Sequence, residues 1–379
     1  LAAFLFVSTF STNTFADIKM GIILGFTGPI ESLTPAMAAS AELAFKEASD
    51  SGSLLGGQSI AVERADSTCV DSAAATSAAE GLVSGGVVAI MGADCSGVTG
   101  AIATNVAVPN GVVMISPSAT SPGLTDLADN GYFFRTAPSD ARGGQILADI
   151  TKDRKIKSVA ITYTNNDYGK GLADVYAGAV KAHGIKVTAM AAHEDGKADY
   201  SAEVATLASA GGDAVAVIGY LDQGGKGIIQ GSLDSGAFDT FVLSDGMIGD
   251  TLTDAFGNDL NKSFGSLPGS TGKGANVFAD VAKAAGIDSS GPYTGESYDA
   301  AALITLAMQA GGKADRATVQ QNVMAVANAP GTKIYPGELK KALDLLAKGK
   351  AVDYEGATGV NLTEVGEAEG SFLEKEIKG

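Results

Sequence analysis

From residue 18 onward, short runs of β-branched and aliphatic residues alternate with segments whose apolar residues recur at helical spacing. Residues 18–25 and 87–91 are predicted strands, and residues 35–48 are a predicted helix between them in the chain. This alternation favours parallel strands joined by right-handed helical crossovers. The pattern therefore predicts an α/β protein with buried parallel sheets.

The same alternation starts again after residues 133–138. The chain has 379 residues, which exceeds the size at which one hydrophobic core keeps growing. We therefore predict two Rossmann-like lobes in succession. No sequence repeat relates the two halves, so the expected similarity between them is architectural.

The last third of the chain is predicted to be mainly helical, with β-like segments at residues 357–362 and 371–377. These helices lack enough strands to form a third sheet, so they are assigned to the first lobe, and the C-terminal segment returns to the second. The predicted lobes comprise residues 17–136 and 266–356 for the first and residues 137–265 and 357–379 for the second. The chain then crosses between the lobes three times, and such crossings form a hinge.

Residues 1–16 form an apolar stretch that ends with Ala16 before Asp17, as at the end of a secretory signal. The stretch is too short to span a bilayer, which takes about 20 residues. We predict the remnant of a signal peptide, and hence an exported chain. A buried N-terminal strand is the alternative.

The formal net charge is −17. Nucleic acid is excluded as a partner, because phosphate binding requires a dense Lys/Arg surface. An anionic membrane surface is disfavoured for the same reason. No later apolar stretch is long enough for membrane insertion.

Cys69 and Cys95 are the two cysteines of the chain. An even number of cysteines in an exported protein predicts a disulfide. The closed loop of about 25 residues would stabilise the fold by roughly 3 to 4 kcal/mol. Two buried free thiols are the alternative. Metal binding by this pair is disfavoured, because His183 and His193 lie far away in sequence.

Candidate ligand-binding residues follow the predicted strands of the first lobe, because ligands of open parallel sheets bind at the carboxyl ends of strands. Ser96 and Thr99 lie in a loop that opens a helix, and Ser118 and Thr120 lie in a turn stiffened by prolines. Hydroxyls and backbone N–H groups of this kind bind carboxylates. Ser96 and Thr99 are equally compatible with ordinary helix capping.

In the second lobe, the corresponding strand ends carry Tyr168, Tyr220, Asp222 and Asp245. Asp245 is the carboxylate best placed to bind an ammonium group. The alternatives are that Asp222 and Asp245 are helix caps and that the tyrosines are packing residues.

Enzyme motifs are weak in this sequence. There is no Gly-x-Ser-x-Gly elbow and no His-Glu-x-x-His pair. Residues 219–226 superficially suggest a phosphate loop, but the glycine spacing is wrong and Gly227 replaces the required Ser/Thr. We therefore expect neither catalysis nor a cofactor.

Several segments together resemble the leucine/isoleucine/valine-binding proteins of ATP-driven importers, which have the type I periplasmic binding protein fold. The resemblance extends over about residues 18–365. It is carried by residues 27–29, the Cys69/Cys95 pair, and residues 116–120, 135–137, 166–171 and 291–293.

The resemblance implies a ligand in the cleft between the lobes. It implies that Ser96 and Thr120 bind its carboxylate, and that Ser118 and Thr120 help to bind its ammonium group, with Ala119 in the same loop. Tyr168 and Tyr220 would close over the ligand, and Asp245 would pair with its ammonium group.

Two residues depart from the family pattern. Leu33 stands where these proteins often carry an aromatic residue against the ligand side chain, and Asp245 is one methylene shorter than the more usual Glu. The ligand's amino-acid head group is therefore better specified than its side chain.

The resemblance implies an extracytoplasmic, periplasmic protein that delivers a branched-chain or related aliphatic amino acid to an ABC transporter permease. We expect a monomer without direct membrane insertion. The alternatives are a ligand sensor for a signalling receptor, and a ligand that is a non-amino-acid carboxylate or an amide.

Overall fold

Aliphatic strands without charged interruptions form the centre of the structure. The computed structural model describes residues 17–378. The strands in this part of the chain are β1 (Ile18–Leu24), β2 (Ile60–Asp66), β3 (Ala89–Gly92), β4 (Val113–Ser116), β5 (Phe133–Arg135), β6 (Ser158–Thr164), β7 (Lys186–His193), β8 (Ala214–Ile218), β9 (Phe241–Leu243), β10 (Phe264–Pro268), β11 (Thr332–Ile334), β12 (Val352–Tyr354) and β13 (Phe372–Glu376).

Helices connect most of these strands, as the alternating sequence pattern predicts. The α-helices are α1 (Thr34–Asp50), α2 (Ser72–Ser84), α3 (Ser96–Ile102), α4 (Asp140–Asp153), α5 (Asp167–Ala182), α6 (Ser201–Ala210), α7 (Gly224–Ser235), α8 (Asp250–Phe256), α9 (Lys273–Ala284), α10 (Thr294–Gly311), α11 (Arg316–Ala327) and α12 (Leu339–Leu346). Helix α3 continues into a π-helical turn, Ala103–Ala107.

Two separate sheets define two lobes. The first sheet has the parallel order β2-β1-β3-β4-β5. The second has the order β7-β6-β8-β9-β10-β13, in which β13 is antiparallel to β10. Strands β3, β4 and β8 are buried throughout, as expected for parallel strands covered by helices on both faces. The predicted α/β architecture with two lobes is confirmed.

Helix α10 is the central helix of the first lobe. It packs against α1, α11, α12 and β4, and it is buried from Thr294 to Gln309. Its sequence lacks a polar face, which is typical of a helix surrounded by other elements. The late helices therefore complete the layer over the first sheet, although they lie far from it in sequence.

The chain passes between the two sheets after β5, after β10 and after β12. The Asp299 carboxylate of α10 organises the last passage: it accepts hydrogen bonds from the Tyr354 hydroxyl at 2.8 Å and from the backbone N–H groups of Ala357 and Thr358 at 2.8 and 2.9 Å. The Thr136 hydroxyl in the first passage donates to the Glu296 carbonyl at 2.8 Å. One end of α10 thus holds two of the three connections.

The lobe boundaries proposed from the sequence stay predictions. Strand β10 continues in the second sheet as far as Pro268, and β13 joins the same sheet from the C-terminal segment. The predicted signal remnant, residues 1–16, lies outside the described residues. Within residues 17–378, no helix has both the length and the apolar character needed to cross a bilayer.

The prediction of a β-like segment at residues 357–362 is wrong, because these residues do not form a strand. Their backbone N–H groups are bound by side chains instead: those of Ala357 and Thr358 by Asp299, and that of Leu362 by Asn328 at 2.8 Å. The short parallel pair β11–β12 is absent from the sequence-based prediction, because three-residue strands carry too little periodicity to be recognised.

Cys69 and Cys95 form a disulfide with a Cα–Cα distance of 5.1 Å, which confirms the predicted pairing. Both cysteines are buried. The bond joins the loop after β2 to the loop after β3, so it links two neighbouring strand ends of the first sheet.

Reducing this disulfide is expected to lower the free energy of unfolding by roughly 3 kcal/mol, because the unfolded chain then gains loop freedom. Urea unfolding with and without a thiol reductant measures the change. A variant with both Cys69→Ala and Cys95→Ala should show no response to the reductant. An equal response of the two proteins would contradict this role.

Glu296 offers a second test of stability. Its side chain is buried beside a cavity of ≈ 240 Å³ that is also lined by Gly269, Ser270 and Thr358. Burial raises the pKa of this carboxyl group from 4.5 to about 8, with a smaller contribution from the nearby Asp299 charge.

Between about pH 4.5 and about pH 8, the unfolded chain releases the Glu296 proton while the folded chain retains it. This difference makes the folded state less stable as pH rises through that range. Glu296→Gln should therefore be more stable than wild type near pH 8 and should show a flatter dependence of the unfolding free energy on pH. Glu80→Gln, at an exposed position, is the control. A Glu296→Gln protein that follows the wild-type pH profile would refute the prediction.

Candidate functional site

The site lies where the carboxyl ends of the two sheets face each other. In each sheet the strand order reverses beside the first strand of the lobe, between β1 and β3 and between β6 and β8. Loops diverge at such points and leave a crevice, which is the usual ligand position in open α/β sheets. The fold thus places two crevices opposite one another.

Asp94 joins the loops of the first lobe. Its buried carboxylate accepts hydrogen bonds from the Gly25 N–H at 2.5 Å, the Ser67 hydroxyl at 2.9 Å and the Cys95 N–H at 2.9 Å. Burial raises the pKa of this group, and the three hydrogen bonds oppose that increase. Together with the Cys69–Cys95 disulfide, these bonds fix the loops after β1, β2 and β3 relative to one another.

The loop after β4 is held against the same region. The Ser118 hydroxyl donates to the Asp94 carbonyl at 3.1 Å, and the Ser121 N–H donates to the Ser96 hydroxyl at 3.1 Å. The Ser116 hydroxyl accepts from the Ala119 N–H at 2.9 Å. Ser96 and Ser118, both predicted from the sequence, therefore lie side by side on one ordered wall.

Arg135 supports this wall from behind. It is 1% exposed, and its guanidinium donates to the carbonyls of Ala119 and Ser121 at 2.9 Å each. It also donates to the Thr125 hydroxyl at 2.9 Å and to the Glu367 carboxylate at 2.5 Å. Since its charge is paired with Glu367, Arg135 positions the loop rather than presenting a free cation to the cleft.

The second-lobe wall consists of two stacked tyrosines and Asp245. The rings of Tyr168 and Tyr220 lie 5.2 Å apart at an angle of 16°. The Tyr168 hydroxyl donates to Asp245 Oδ1 at 2.6 Å and accepts from the Gly246 N–H at 3.2 Å. A Cβ atom at position 246 would lie 2.6 Å from the Gly219 carbonyl oxygen, so glycine is required for this close approach.

Asp245 also receives a hydrogen bond from the other side of the cleft. The Tyr293 hydroxyl, at the start of α10, donates to Asp245 Oδ2. Tyr293 has a φ of 62°, which is a left-handed conformation uncommon for a residue with a side chain. Burial raises the pKa of Asp245, while the hydrogen bonds from Tyr168 and Tyr293 act in the opposite direction. Asp245 is thus a buried carboxylate bound by donors from both lobes.

Asp140 is a second buried acid near Asp245. It is 2% exposed at the start of α4, and its N–H donates to the Thr120 carbonyl at 2.9 Å. The pKa of its carboxyl group is raised well above the ordinary value by burial and by the charge of Asp245. The site therefore contains two buried acids whose pKa values are both raised by burial, and of the two only Asp245 accepts hydrogen bonds from tyrosine hydroxyls.

Six of the predicted site residues line one small cavity of ≈ 20 Å³, which is room for about one water molecule. They are Leu33, Ser96, Ser118, Tyr168, Tyr220 and Asp245. Thr99, Ala119 and Thr120 are also buried, but they are not among the residues that line this cavity.

Asp140 is not recognisable as a site residue from the sequence, and Tyr293 is recognisable only as part of a segment that matches the family. Ser139 does cap α4 by accepting from the Ala141 N–H, so an acid directly after it has the pattern of an ordinary helix start. Ile30 and Met37 also line the cavity, and both belong to apolar patterns typical of a core. The topology of the fold, which local sequence patterns do not specify, brings these residues to the same cavity.

The lobes contact each other directly beside the cavity. The Asp222 N–H donates to the Pro29 carbonyl at 2.9 Å, and the Ser32 N–H donates to the Asp222 carboxylate at 2.9 Å. The Ser121 hydroxyl donates to the Asp167 carbonyl at 3.0 Å. Asp222 thus links the lobes instead of capping α7, and the cleft is closed in this conformation.

Two α/β lobes joined by three connections, with a cavity between their strand ends, give the architecture of a two-lobed solute-binding protein. The chain belongs to the periplasmic binding protein family, whose sequence model matches residues 17–341. Members of this family are binding proteins, and the family name implies an extracytoplasmic location.

Individual relatives agree with this assignment. Leu/Ile/Val-binding protein homolog 1 of Brucella melitensis is 30% identical over 315 residues, which is 82% of each chain. The branched-chain amino acid transporter substrate binding protein LivJ of Streptococcus pneumoniae, solved with isoleucine, has a TM-score of 0.78 at 23% identity and covers 96% of this chain and 97% of its own. A solute binding protein of an ABC transporter from R. palustris, solved with 4-hydroxybenzoate, has a TM-score of 0.74 at 16% identity, covering 96% and 94%.

Tyr293→Phe is expected to weaken closure of the lobes, because it removes a hydrogen bond between α10 and Asp245 while keeping the aromatic ring. Small-angle scattering should show a larger radius of gyration than for wild type in ligand-free buffer. Tyr132→Phe, which changes a half-buried tyrosine outside the cleft, should leave the radius unchanged. Identical scattering from all three proteins would show that this bond does not hold the lobes together.

Proposed function

We propose that the protein captures a small aliphatic amino acid between its lobes and delivers it to an ATP-driven membrane importer. The main support for this proposal is that Asp245 is a buried carboxylate bound by tyrosine hydroxyls from both lobes. Within residues 17–378, no lysine or arginine forms an ion pair with it. A buried carboxylate bound by neutral donors is stabilised by a positive partner, which the ammonium group of an amino acid supplies.

The opposite wall suits the ligand's carboxylate. Ser96 and Ser118 line the cavity, and the buried hydroxyl of Thr120, from the same loop as Ser118, has no hydrogen-bond partner. In this proposal Ser96 and Thr120 bind the carboxylate, while Ser118 and Thr120 assist with the ammonium group. A zwitterion thus lies across the cleft, with its two charges toward different walls.

The third side of the cavity is apolar. Ile30, Leu33 and Met37 contribute aliphatic side chains there, and Leu33 is 9% exposed. An aliphatic ligand side chain would be buried against them by the hydrophobic effect. Leucine and isoleucine, which appear in the names of the relatives, have aliphatic side chains that match this apolar surface.

Ligand entry requires the lobes to separate, because the cavity holds only about one water molecule. We propose that a ligand first binds the wall around Ser96 and that Tyr168, Tyr220 and Asp245 then close over it. Binding shifts the population toward a closed form, and that form is the one an importer recognises. We propose that the chain is exported and monomeric, and that it binds its ligand without catalysis.

An aromatic acid such as 4-hydroxybenzoate is the alternative ligand, since one structural relative was solved with it. Two buried acids, Asp140 and Asp245, argue against such a ligand. An anion without an ammonium group would lie beside like charge and would gain no compensating partner.

Asp245→Asn is expected to reduce the affinity for the amino acid by roughly two to four orders of magnitude, because it leaves the ammonium group buried without its charge partner. Titration calorimetry with a panel containing L-leucine, L-isoleucine, L-valine and 4-hydroxybenzoate measures the affinities. Asp254→Asn, at an exposed position in α8, is the matched control. Tight binding of 4-hydroxybenzoate but of no amino acid, or an unchanged affinity of Asp245→Asn, would reject the proposal.

A further inference from the structure

Asp140 is a buried acid to which the proposed function assigns no role. Its Oδ2 atom is enclosed and has no hydrogen-bond partner. Asp140 and Asp245 line the same small internal cavity of ≈ 10 Å³, together with apolar side chains such as Leu147, Leu172 and Phe372. Two carboxyl groups thus share a space that water can barely enter.

The groups around this pair do not neutralise both charges. The hydroxyls of Tyr168 and Tyr293 both donate to Asp245. Arg135 lowers the pKa of Asp140 only as a minor influence, because its guanidinium is bound to Glu367 and to loop acceptors. The Thr120 hydroxyl faces Asp140 and acts in the same direction. Ser244 and Ser266 also line the cavity, and both are uncharged; the Ser244 hydroxyl accepts from the Gly219 N–H at 3.2 Å.

Two ionised carboxylates in one dry cavity are strongly unfavourable, so one of them takes a proton. Asp245 keeps its charge because two tyrosine hydroxyls stabilise the ionised form. Asp140 takes the proton because its Oδ2 accepts no hydrogen bond that would stabilise a negative charge.

We infer that Asp140 and Asp245 hold one proton between them, and that capture of the ligand's ammonium group expels this proton to the solvent. The inference rests on the proposed function, since it requires a cationic group at Asp245. It makes Asp140 the residue that sets the pH dependence of ligand binding.

The exchange balances in charge and atoms. Before binding, the pair carries one proton and one negative charge. The ammonium group brings one positive charge next to Asp245, and this charge favours ionisation of Asp140. The proton then leaves Asp140 for the buffer, and the pair carries two negative charges beside the ligand cation.

Affinity consequently rises with pH. Because the bound state holds fewer protons than the free state, raising the pH favours binding throughout the range in which Asp140 of the free protein is protonated. For release of one proton, the association constant increases roughly tenfold per pH unit in that range.

Titration calorimetry with L-leucine in buffers of different ionisation enthalpy counts the protons released. Wild type should release up to one proton per ligand bound, and its affinity should rise with pH. Asp140→Asn should release none, should bind more weakly than wild type at alkaline pH and should show a flat pH profile. Asp153→Asn, an exposed change in the same helix, should behave as wild type.

Infrared spectroscopy provides a readout without ligand. The absorption of protonated carboxyl groups in the free protein should be smaller in Asp140→Asn than in wild type, and unchanged in Asp153→Asn. Wild type that binds L-leucine without releasing protons, or equal infrared absorption in Asp140→Asn and wild type, would overturn the inference while leaving the proposed function intact. Absence of amino-acid binding by wild type would reject both.

Discussion

The Asp94 carboxylate connects the loops on which the first-lobe wall depends. One buried side chain binds the backbone after β1, the hydroxyl after β2 and the backbone after β3, and its own carbonyl receives the Ser118 hydroxyl from the loop after β4. A buried carboxylate is tolerated only when its hydrogen bonds are satisfied. Because the hydrogen bonds of Asp94 involve the loops after four strands, they fix these strand ends relative to one another. The second lobe can then close against a surface that is already ordered.

The charged groups beside the cleft differ in how they are neutralised. Arg135 and Glu367 neutralise each other behind the first-lobe loop, and Asp299 is satisfied by the last connection between the lobes. Asp245 differs because its donors are neutral hydroxyls, which orient the carboxylate without cancelling its charge. An acidic surface alone carries no information about the ligand. The distinction between a paired acid and an acid bound only by hydroxyls does carry such information.

The sequence predicted the architecture well because local periodicity determines it. The continuous apolar run at residues 87–91 gave β3, and the helical spacing at residues 35–48 gave α1, close to their observed bounds. Strand ends then located Ser96, Ser118 and Asp245. Asp140 could not be found in this way, because its approach to Asp245 depends on how α4 packs against the second sheet. The role of Tyr293 could not be found either, because its contact with Asp245 depends on how the lobes meet. The segment at residues 357–362 failed for a related reason: the side chains of Asp299 and Asn328 bind backbone groups that local propensity assigns to a strand.

The stacked pair of Tyr168 and Tyr220 gives the protein an optical property. The chain has no tryptophan and ten tyrosines. Its near-ultraviolet emission therefore arises from tyrosine alone, and three of these residues, Tyr168, Tyr220 and Tyr293, line the cavity. Two of the three donate hydrogen bonds to the same carboxylate, an arrangement that changes when the lobes separate. The native chain thus carries fluorophores at the point of closure, and lobe movement is open to spectroscopic observation without any attached dye.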